Sequence, residues 1–455
     1  MANEFDRLDI QGIVFSGYGH LQCAVYQLLR ITDAKSARAW LAKLAEKVTD
    51  ARGKKVTSNH NVAFTARGLK NLGLDDETLA TFAWPFRDGM TSDHRQRILG
   101  DTEVNEPTQW RWGNDKVPID ILLMIFAQDE DNLKIEEGET EKYIAAGIGV
   151  ELVARLEAGR QPDSKEHFGF NDGIAQPVIE GSHSPQPDQL EIKPGEILLG
   201  HEDVYGVSAP SPSVAAARDP KKLLPDAGND RRDLGFNGTY LVFRQMEQDV
   251  PAFWNFVDQS HGDPTKLAAK LVGRWPSGAP LAKYPDCDPN AATGTLSADD
   301  DFDYQSDTLG VKCPIGSHIR RTNPRDTLGP DADTAKKSAN RHRLLRRGRS
   351  YGHRIDDPRK PDGQTRGLNF ICLGSDIARQ FEFVQQQWVN NTVFGGLYSE
   401  VDPLIGDQSR CEGRFTVPGD PLRTRVPNLC RFTTIRGGAY FFLPSLRAIR
   451  FLASL

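Results

Sequence analysis

The chain has 455 residues, which is long enough for two or three domains and for a core that needs no crosslinks. Its 56 basic and 62 acidic side chains give a net charge of −6, which disfavours binding to nucleic acid over a broad surface. The best apolar run, Ile119–Ala127, contains Asp120 and is far shorter than the roughly 18 residues that a membrane helix needs. Composition therefore favours a globular protein and excludes a membrane-embedded one.

The N-terminal sequence MANEFDRLDIQG has neither a basic n-region nor an apolar h-region, so we expect no secretory signal and a cytoplasmic location. The cysteines are scattered and form no CxxC pair, so a zinc ribbon, a thioredoxin-type motif and a covalent CxxCH haem attachment lack support. In a reducing compartment we expect all of them to be free thiols. They are Cys23, Cys287, Cys313, Cys372, Cys411 and Cys430.

Units of a strand followed by a helix recur after about half the chain. Alternating or continuous apolar runs predict the strands, and apolar side chains at helical spacing predict the helices. The predicted segments are strand 19–32, helix 34–48, strand 119–128, a broken helix over 132–156, strand 238–245, a helix start at 250–257, strand 367–374 and helix 376–388. This recurrence favours an α+β fold duplicated once, with helices on one face of each antiparallel sheet; chance alternation is the alternative.

Several segments are rich in Pro, Ser, Ala and charge. We expect 183–194 and 208–233 to be surface connections, and 276–305 to be a loop whose acidic stretch 298–303 is solvated. Residues 336–354 carry many arginines. On an acidic chain without a recognised binding module, we expect no nucleic-acid contact from them.

Two segments carry residues that are suited to chemistry. In the first, FGFNDGIAQP over Phe168–Pro177, Gly169 and Gly173 flank Asp172. Glycines allow the backbone to approach a ligand closely. An acid or base, a metal ligand and an ordinary turn residue all remain open for Asp172, and the spacing alone favours the turn.

The second segment, CPIGSHIRRTNPR, places a single histidine, His318, among several cations. A lone histidine is commonly a structural hydrogen-bonding group, but a neutral imidazole can also bind a haem iron axially. The adjacent Arg320, Arg321 and Arg325 are suited to the carboxylates of a haem. From the residues alone, haem binding is one interpretation among several.

Together the two segments resemble a known family. FGFNDGIAQP resembles the GxxDG motif of the dye-decolorising peroxidases, and CPIGSHIRRTNPR resembles the segment that carries that family's proximal histidine. Further similar segments follow in order along nearly the whole chain. They are IQGIVFSGYGHLQCAVYQLLRI near the start, GEILLG at 195–200, GTYLVFR at 238–244, RWPSGAPL at 274–281, HRLLRRGRSYG at 342–352, GLNFICLGSDI at 367–377 and DPLIG at 402–406.

The length and the long inserts resemble the larger bacterial and fungal branch of the family. The resemblance implies two ferredoxin-like α+β domains, which is a duplicated dimeric α+β barrel, with one non-covalent haem b held between them. Residues 1–235 would form the domain with the GxxDG motif, and residues 236–455 the domain with the proximal histidine.

The resemblance also implies roles around the haem iron. His318 corresponds to the axial iron ligand and Asp172 to the distal acid and base. Arg346 corresponds to the distal arginine, and its neighbour Arg347 is the alternative because the preceding loop is longer than in compact relatives. Such a carboxylate can move a proton between the two peroxide oxygens, and a guanidinium can stabilise the charge that develops.

Further residues correspond to the walls of the haem site. Arg325 is implied as a partner of a haem propionate, and Leu368 and Phe370 as apolar residues on the distal side. Asp402 is implied as the carboxylate that accepts the proximal imidazole N–H, with Glu400 as its rival. A carboxylate in that position makes the imidazole a stronger donor to iron.

The implied function is a haem peroxidase that reduces hydrogen peroxide through a ferryl intermediate and oxidises phenolic and anthraquinone-type dye donors. Tyr351 and Trp388 are candidate surface relays for bulky donors, although aromatic residues at such positions are commonly core. The alternatives are a non-catalytic haem carrier, which needs no Asp172–Arg346 pair, a chlorite dismutase-type enzyme, which lacks GxxDG, and a partner-binding protein with an empty pocket. The sequence assigns no oligomeric state.

Overall fold

The computed structural model describes residues 5–53, 56–145, 147, 149–182, 191–259, 262–408, 411–419 and 421–455. Its central element is a nine-stranded antiparallel sheet that closes into a barrel. In chain order the strands are β1 (Cys23–Ile31), β2 (Ser58–Phe64), β3 (Ile121–Ala127), β4 (Val150–Gly159), β5 (Thr239–Gln248), β6 (Leu345–Arg346), β7 (Arg349–Tyr351), β8 (Gly367–Gly374) and β9 (Thr433–Leu443).

Each half of the chain contributes a ferredoxin-like strand order to the barrel. The first half is ordered β4–β1–β3–β2, and the second half is ordered β9–β5–β8 with β6 and β7 beyond β8. The two halves meet at two seams, where Phe442 pairs with Phe64 and Ser350 pairs with Gly159. This topology confirms the predicted duplicated α+β barrel, whereas a boundary at residue 235 stays a prediction.

Alternation along the strands builds two separate cores. In β1, Ala24, Tyr26 and Leu28 face the barrel interior, while Val25 and Leu29 face the helices outside it. The interior is filled by aromatic side chains, as in the edge-on contact of the Tyr26 and Phe243 rings at 5.7 Å between centroids. The barrel lumen is therefore a packed core, and any ligand site must lie elsewhere.

Helices cover the outer face of the sheet. Five of them are α1 (Ala34–Leu44), α2 (Glu130–Ala145), α3 (Val250–Gln259), α4 (Pro264–Val272) and α5 (Leu446–Ala453), with π-helical turns over Ala378–Glu382 and Val384–Val389. Further helices are Ala66–Leu72, Asp76–Leu79, Trp84–Asp88, Asp93–Leu99, His318–Thr322 and Ala332–Asn340. The last helix, α5, packs against α1, so the end of the chain covers the first half of the barrel.

Smaller sheets lie outside the barrel. Residues 208–233 contain the strands Ser213–Ala215, Asp226–Gly228 and Arg231–Asp233, which pair with one another. The remaining pairs join Val178–Ile179 to Glu191–Ile192 and Gly413–Val417 to Thr424–Leu429. The predicted surface connection at 183–194 lies largely outside the described residues.

Two expectations about local structure are wrong. Residues 150–156, predicted as the end of a helix, belong to β4, because this segment pairs with β1 along its whole length. The acidic stretch at 298–303 is not simply solvated, since Asp300 forms ion pairs with Arg274 and Arg325. In both places tertiary contacts decide the structure over local propensity.

The cysteines differ from the expectation of free thiols. Cys411 and Cys430 form a disulfide, so that expectation is wrong for this pair. The other cysteines, Cys23, Cys287, Cys313 and Cys372, are free. None of the helices within the described ranges is long and apolar enough to cross a membrane.

Candidate active site

A cavity of about 310 Å³ lies against the outer face of the second half of the sheet. Alternate side chains of β5 and β8 form one wall, and α4, the π-helical turns and the loop over residues 166–176 form the others. That loop comes from the first half of the chain, so both halves bound the cavity. The wall residues from the two strands are Arg244, Met246, Gln248, Leu368 and Phe370.

His318 lines this cavity as the first residue of the helix His318–Thr322. Its Nδ1 lies 2.9 Å from Oδ2 of Asp402, a fully buried carboxylate. The other oxygen of Asp402 accepts the backbone N–H groups of Leu404, at 2.9 Å, and Ile405, at 3.0 Å. Because Nδ1 donates to the carboxylate, the lone pair of Nε2 is available to a metal.

The two groups shift each other's protonation in opposite directions. Burial lowers the pKa of His318, but the charge of Asp402 and its hydrogen bond outweigh burial and hold that pKa above its ordinary value. Burial raises the pKa of Asp402, but His318 and the backbone N–H of Ile405 outweigh it, so the carboxyl pKa is lowered. The pair is therefore arranged as an ionised carboxylate that accepts a hydrogen bond from the imidazole N–H.

Glu400, the rival for this position, has different partners. Its carboxylate accepts the backbone N–H of Thr416 at 2.9 Å and also the Thr416 hydroxyl. It thereby joins the loop that precedes Asp402 to the hairpin strand Gly413–Val417. The structure brings Asp402, and not Glu400, to His318.

A buried arginine fixes the loop that carries Asp402. Arg321 donates to the carbonyl oxygens of Trp388 at 2.6 Å, Asn391 at 3.1 Å and Glu400 at 2.6 Å. Sequence analysis treated Arg321 as a candidate for haem carboxylates, but its guanidinium holds backbone carbonyls instead. Its contribution is to position the loop, and its charge also lowers the pKa of Asp402.

Asp172 and Arg346 meet at the opening of the cavity. Oδ1 of Asp172 accepts the N–H of Gly173 at 2.6 Å and lies 4.0 Å from Nη2 of Arg346. The side chains are 49% and 34% exposed, so peroxide and water can reach both. Gly169 has a φ of 99°, which only glycine adopts readily, and this explains the first glycine of the motif. The backbone N–H of Arg346 donates to Oε1 of Gln176 at 3.0 Å and so joins β6 to the same loop.

The alternative distal arginine, Arg347, points away from the cavity. Its Nε donates to the carbonyl of Ile13 at 2.8 Å, and its Nη2 donates to that of Val14 at 3.0 Å. Successive residues of a strand point to opposite faces of the sheet, so only one of the two arginines can face the cavity. The structure places Arg346 there.

Four arginines line one end of the cavity. Arg325 hydrogen-bonds the carbonyl of Phe302 at 2.7 Å, stacks on its ring at 3.8 Å and pairs with Asp300. Arg274 pairs with the same carboxylate at 2.7 Å. The remaining two are Arg343 and Arg346.

Arg274, Arg343 and Asp300 were not among the site residues expected from the sequence. Arg343 lies in the basic run 336–354, for which the expectation was only that it makes no nucleic-acid contact, although leucines follow it directly at Leu344 and Leu345. That mixture of leucine and arginine is atypical of a solvated segment and was the available signal. Arg274 and Asp300 meet only in the folded chain.

Neither of the two candidate relay residues, Tyr351 and Trp388, is fully exposed at the surface. Trp388 is 6% exposed and packs against His342 and Phe383, so the expectation that it meets donors at the surface is wrong. Tyr351 is half-buried, and its hydroxyl has no hydrogen-bond partner among the described residues. The most exposed aromatic residues of the described chain are instead Trp84 and Tyr398.

A duplicated α+β barrel with a carboxylate-bound histidine and an acid–arginine pair in one cavity defines a class of haem-dependent redox enzymes. Comparison with known proteins agrees. The family described as "DyP dimeric alpha+beta barrel domain" matches residues 9–160. Dye-decolorizing peroxidase msp1 of Mycetinis scorodonius is 30% identical over 98% of this chain and 87% of its own.

Two further relatives span the full length. The multifunctional dye peroxidase DyP2 of Amycolatopsis is 30% identical over 99% of this chain and 93% of its own. The crystal structure of a fungal DyP-type peroxidase from Auricularia auricula-judae has a TM-score of 0.80 at 25% identity and covers all of both chains. The chain belongs to the dye-decolorising peroxidase family. It is a haem enzyme that uses hydrogen peroxide to oxidise dye and aromatic donors.

Proposed function

We propose that the chain binds one haem b non-covalently in this cavity and that His318 is its axial ligand. The observation that carries the proposal is that His318, held by Asp402, shares one cavity with Asp172 and Arg346. A non-catalytic haem carrier needs His318 and Asp402 but has no use for Asp172 and Arg346. The proposed donors are phenolic and anthraquinone-type compounds.

The walls of the cavity are suited to a haem. Apolar side chains of Leu368, Phe370 and Val384 offer contact to the faces of a flat macrocycle, and the arginine end offers cations to its two propionates. No cysteine of the described residues lines the cavity, which supports non-covalent binding. When bound, the haem supplies an iron that takes up the oxidising equivalents of peroxide and passes them to the donor.

The proposed roles of the protein's own groups follow from their positions. Asp172 accepts the proton of one peroxide oxygen and returns it to the other as the O–O bond breaks. Arg346 cannot deprotonate, so its charge stabilises the negative charge that develops on the departing oxygen. Asp402 holds the Nδ1 proton of His318, which makes Nε2 a stronger donor to iron.

An absorption spectrum before and after peroxide tests this function. A Soret band that changes on addition of hydrogen peroxide, and returns when an anthraquinone dye is added, supports the peroxidase. A Soret band that peroxide leaves unchanged supports a carrier. If no Soret band forms after the purified chain is mixed with haem, both functions are wrong.

We further propose that the boundary between the two domains lies between residues 235 and 236. We also propose that the protein has no nucleic-acid partner and that it is located in the cytoplasm. The burial of Arg343 and Arg349 removes two cations from the surface of the segment 336–354, which supports the proposal that it makes no nucleic-acid contact. The disulfide between Cys411 and Cys430 is a bond typical of oxidising compartments, so the location is best measured directly by cell fractionation.

A further inference from the structure

Arg343 is a buried cation at the arginine end of the cavity. The residue is 6% exposed, and it lines the cavity. Its Nη2 donates to the carbonyl oxygen of Ala175 at 3.1 Å, in the loop that follows Asp172. Among the described residues no carboxylate pairs with it. A buried guanidinium without a counter-charge is unfavourable, so its presence needs an explanation.

The neighbouring arginines differ from Arg343 because each lies near a carboxylate. Arg274 and Arg325 both pair with Asp300, and Arg346 lies 4.0 Å from Asp172. Burial lowers the pKa of Arg343 to about 9, and the positive charges of Arg325 and Arg346 act in the same direction. The charge of Asp300 opposes them, but that carboxylate already pairs with both Arg274 and Arg325. At neutral pH the group is still charged, so this end of the cavity holds more guanidinium groups than the shared carboxylate of Asp300 can pair with.

We propose that Arg343 directly anchors a propionate of the haem, and that the cofactor supplies its missing counter-charge. This inference rests on the proposed haem site. Arg325, which the family resemblance implies in this role, then acts mainly by holding Asp300 and the carbonyl of Phe302. A bidentate pair between guanidinium and carboxylate suits both the planar shape and the charge of Arg343.

The inference predicts opposite effects of one substitution on two forms of the protein. In the haem-free chain, Arg343→Met removes an unbalanced buried charge while it keeps a long apolar side chain, so the melting temperature should rise. In the haem-loaded chain the same change removes a charge-assisted bond to the cofactor, so haem should dissociate faster. A residue that served only the packing of the protein would weaken both forms.

A double-mutant cycle between the residue and the cofactor tests the contact itself. Wild type and Arg343→Met are each loaded with protohaem or with protohaem dimethyl ester, in which both carboxylates are neutral. The measured quantity is the rate of transfer to excess apomyoglobin, followed at the Soret band. We expect esterification to speed release from the wild type by about 10- to 100-fold, as is typical for a bond to a charged group. In Arg343→Met the effect should fall at least about threefold below that of the wild type.

Arg325→Met is the matched control, because it removes a neighbouring guanidinium that, unlike Arg343, forms an ion pair with a carboxylate of the protein. It should lower the melting temperature of the haem-free chain and leave the effect of the ester close to that of the wild type. Arg343→Lys keeps the charge and should retain part of the effect, which covers the case in which Arg343→Met does not fold.

Two results would overturn the inference. The first is an equal effect of the ester in wild type and in Arg343→Met, and the second is a cycle in which only Arg325→Met abolishes that effect. A wild-type chain that forms no Soret band at all contradicts the proposed haem site, and that outcome is distinguishable from both.

Discussion

Asp402 has a hydrogen bond for each of its carboxylate oxygens. One oxygen accepts from His318, and the other accepts the backbone N–H groups of Leu404 and Ile405, so the carboxylate cannot rotate without losing contacts. Such a fixed carboxylate sets both the orientation of the imidazole ring and its strength as an iron ligand. In the proposed haem site, a single residue that does not touch the iron would therefore control the proximal side.

Asp402→Asn should weaken haem binding or peroxide turnover by about 10- to 100-fold, which is the usual effect of removing such a partner of a ligating histidine. The measurements are haem release to apomyoglobin and initial rates of dye oxidation. Glu400→Gln is the matched control, since Glu400 bonds Thr416 and does not touch His318. Equal losses in both variants would show that the loop, and not the carboxylate at His318, is what matters.

Asp172→Asn and Arg346→Leu should each slow the reaction with peroxide by at least about tenfold, because one removes the proton acceptor and the other removes the stabilising charge. Stopped-flow mixing with hydrogen peroxide, followed at the Soret band, measures this rate. The control is Arg347→Lys, in the neighbouring arginine that faces the carbonyls of Ile13 and Val14. Wild-type rates in both distal variants would exclude the proposed roles.

Some residues of the site could be identified from the sequence alone, and others could not. His318, Asp172 and Arg346 lie in motifs that are contiguous in sequence, so a family resemblance is enough to find them. Arg343 and Arg274 acquire their significance only from what lies beside them in space: both line the cavity, and Arg274 pairs with Asp300. The leucines that follow Arg343 indicate a segment that is not solvated, but they do not show that it borders a cavity.

Among the elements, the hairpin of Gly413–Val417 and Thr424–Leu429 packs against the loop that carries Glu400 and Asp402. The Cys411–Cys430 disulfide closes its base, and Thr416 holds Glu400 just before Asp402. Order in the hairpin therefore contributes to order around His318.

Replacing both cysteines by serine should lower the free energy of unfolding by up to about 3 kcal/mol, the amount expected from a crosslink that spans 19 residues. Urea unfolding of the double variant measures this change. Cys287→Ser is the control, since that cysteine is exposed and free. An unchanged unfolding midpoint would contradict this prediction, because it would mean that the disulfide does not contribute to the stability of the whole chain.

Helices and strands were predicted well where the sequence shows a clear apolar pattern. They were predicted poorly where pairing with another strand outweighs the local helix propensity. β1, β5 and β8 have continuous apolar runs, and each was expected close to its observed bounds. β4 was expected to be helical because its glutamates, leucines and alanines are good helix formers. Its pairing with β1 could not be foreseen from local sequence.

For the whole molecule, stability in acid depends on a buried histidine. The Nε2–H of His167 donates to the carbonyl of Tyr351 at 2.8 Å, while its Nδ1 is buried without a partner in the described chain. Burial lowers the pKa of His167 to about 4. Below a pH of about 6.5 the unfolded chain therefore binds a proton that the folded chain does not accept until about pH 4.

The free energy of unfolding should fall by about 3 kcal/mol through that window because of His167 alone. His167→Gln keeps a donor for the carbonyl of Tyr351 but does not titrate, so its stability should fall less than that of the wild type between pH 7 and pH 4. Urea unfolding at pH 7, 5 and 4 provides the comparison, with the exposed His94→Gln as control. Parallel losses in wild type and His167→Gln would contradict the assignment.

The alternation of side chains along β5 assigns two different tasks to one strand. Leu241 and Phe243 fill the barrel lumen, while Arg244 and Met246, on the opposite face, line the cavity. During evolution the first set is constrained by folding and the second by the molecules that the cavity accepts. Substitutions among relatives should therefore alternate along this strand, with lumen positions limited by the packing of the core and cavity positions limited by what the cavity binds and by the buried ion pair of Arg244 with Asp101.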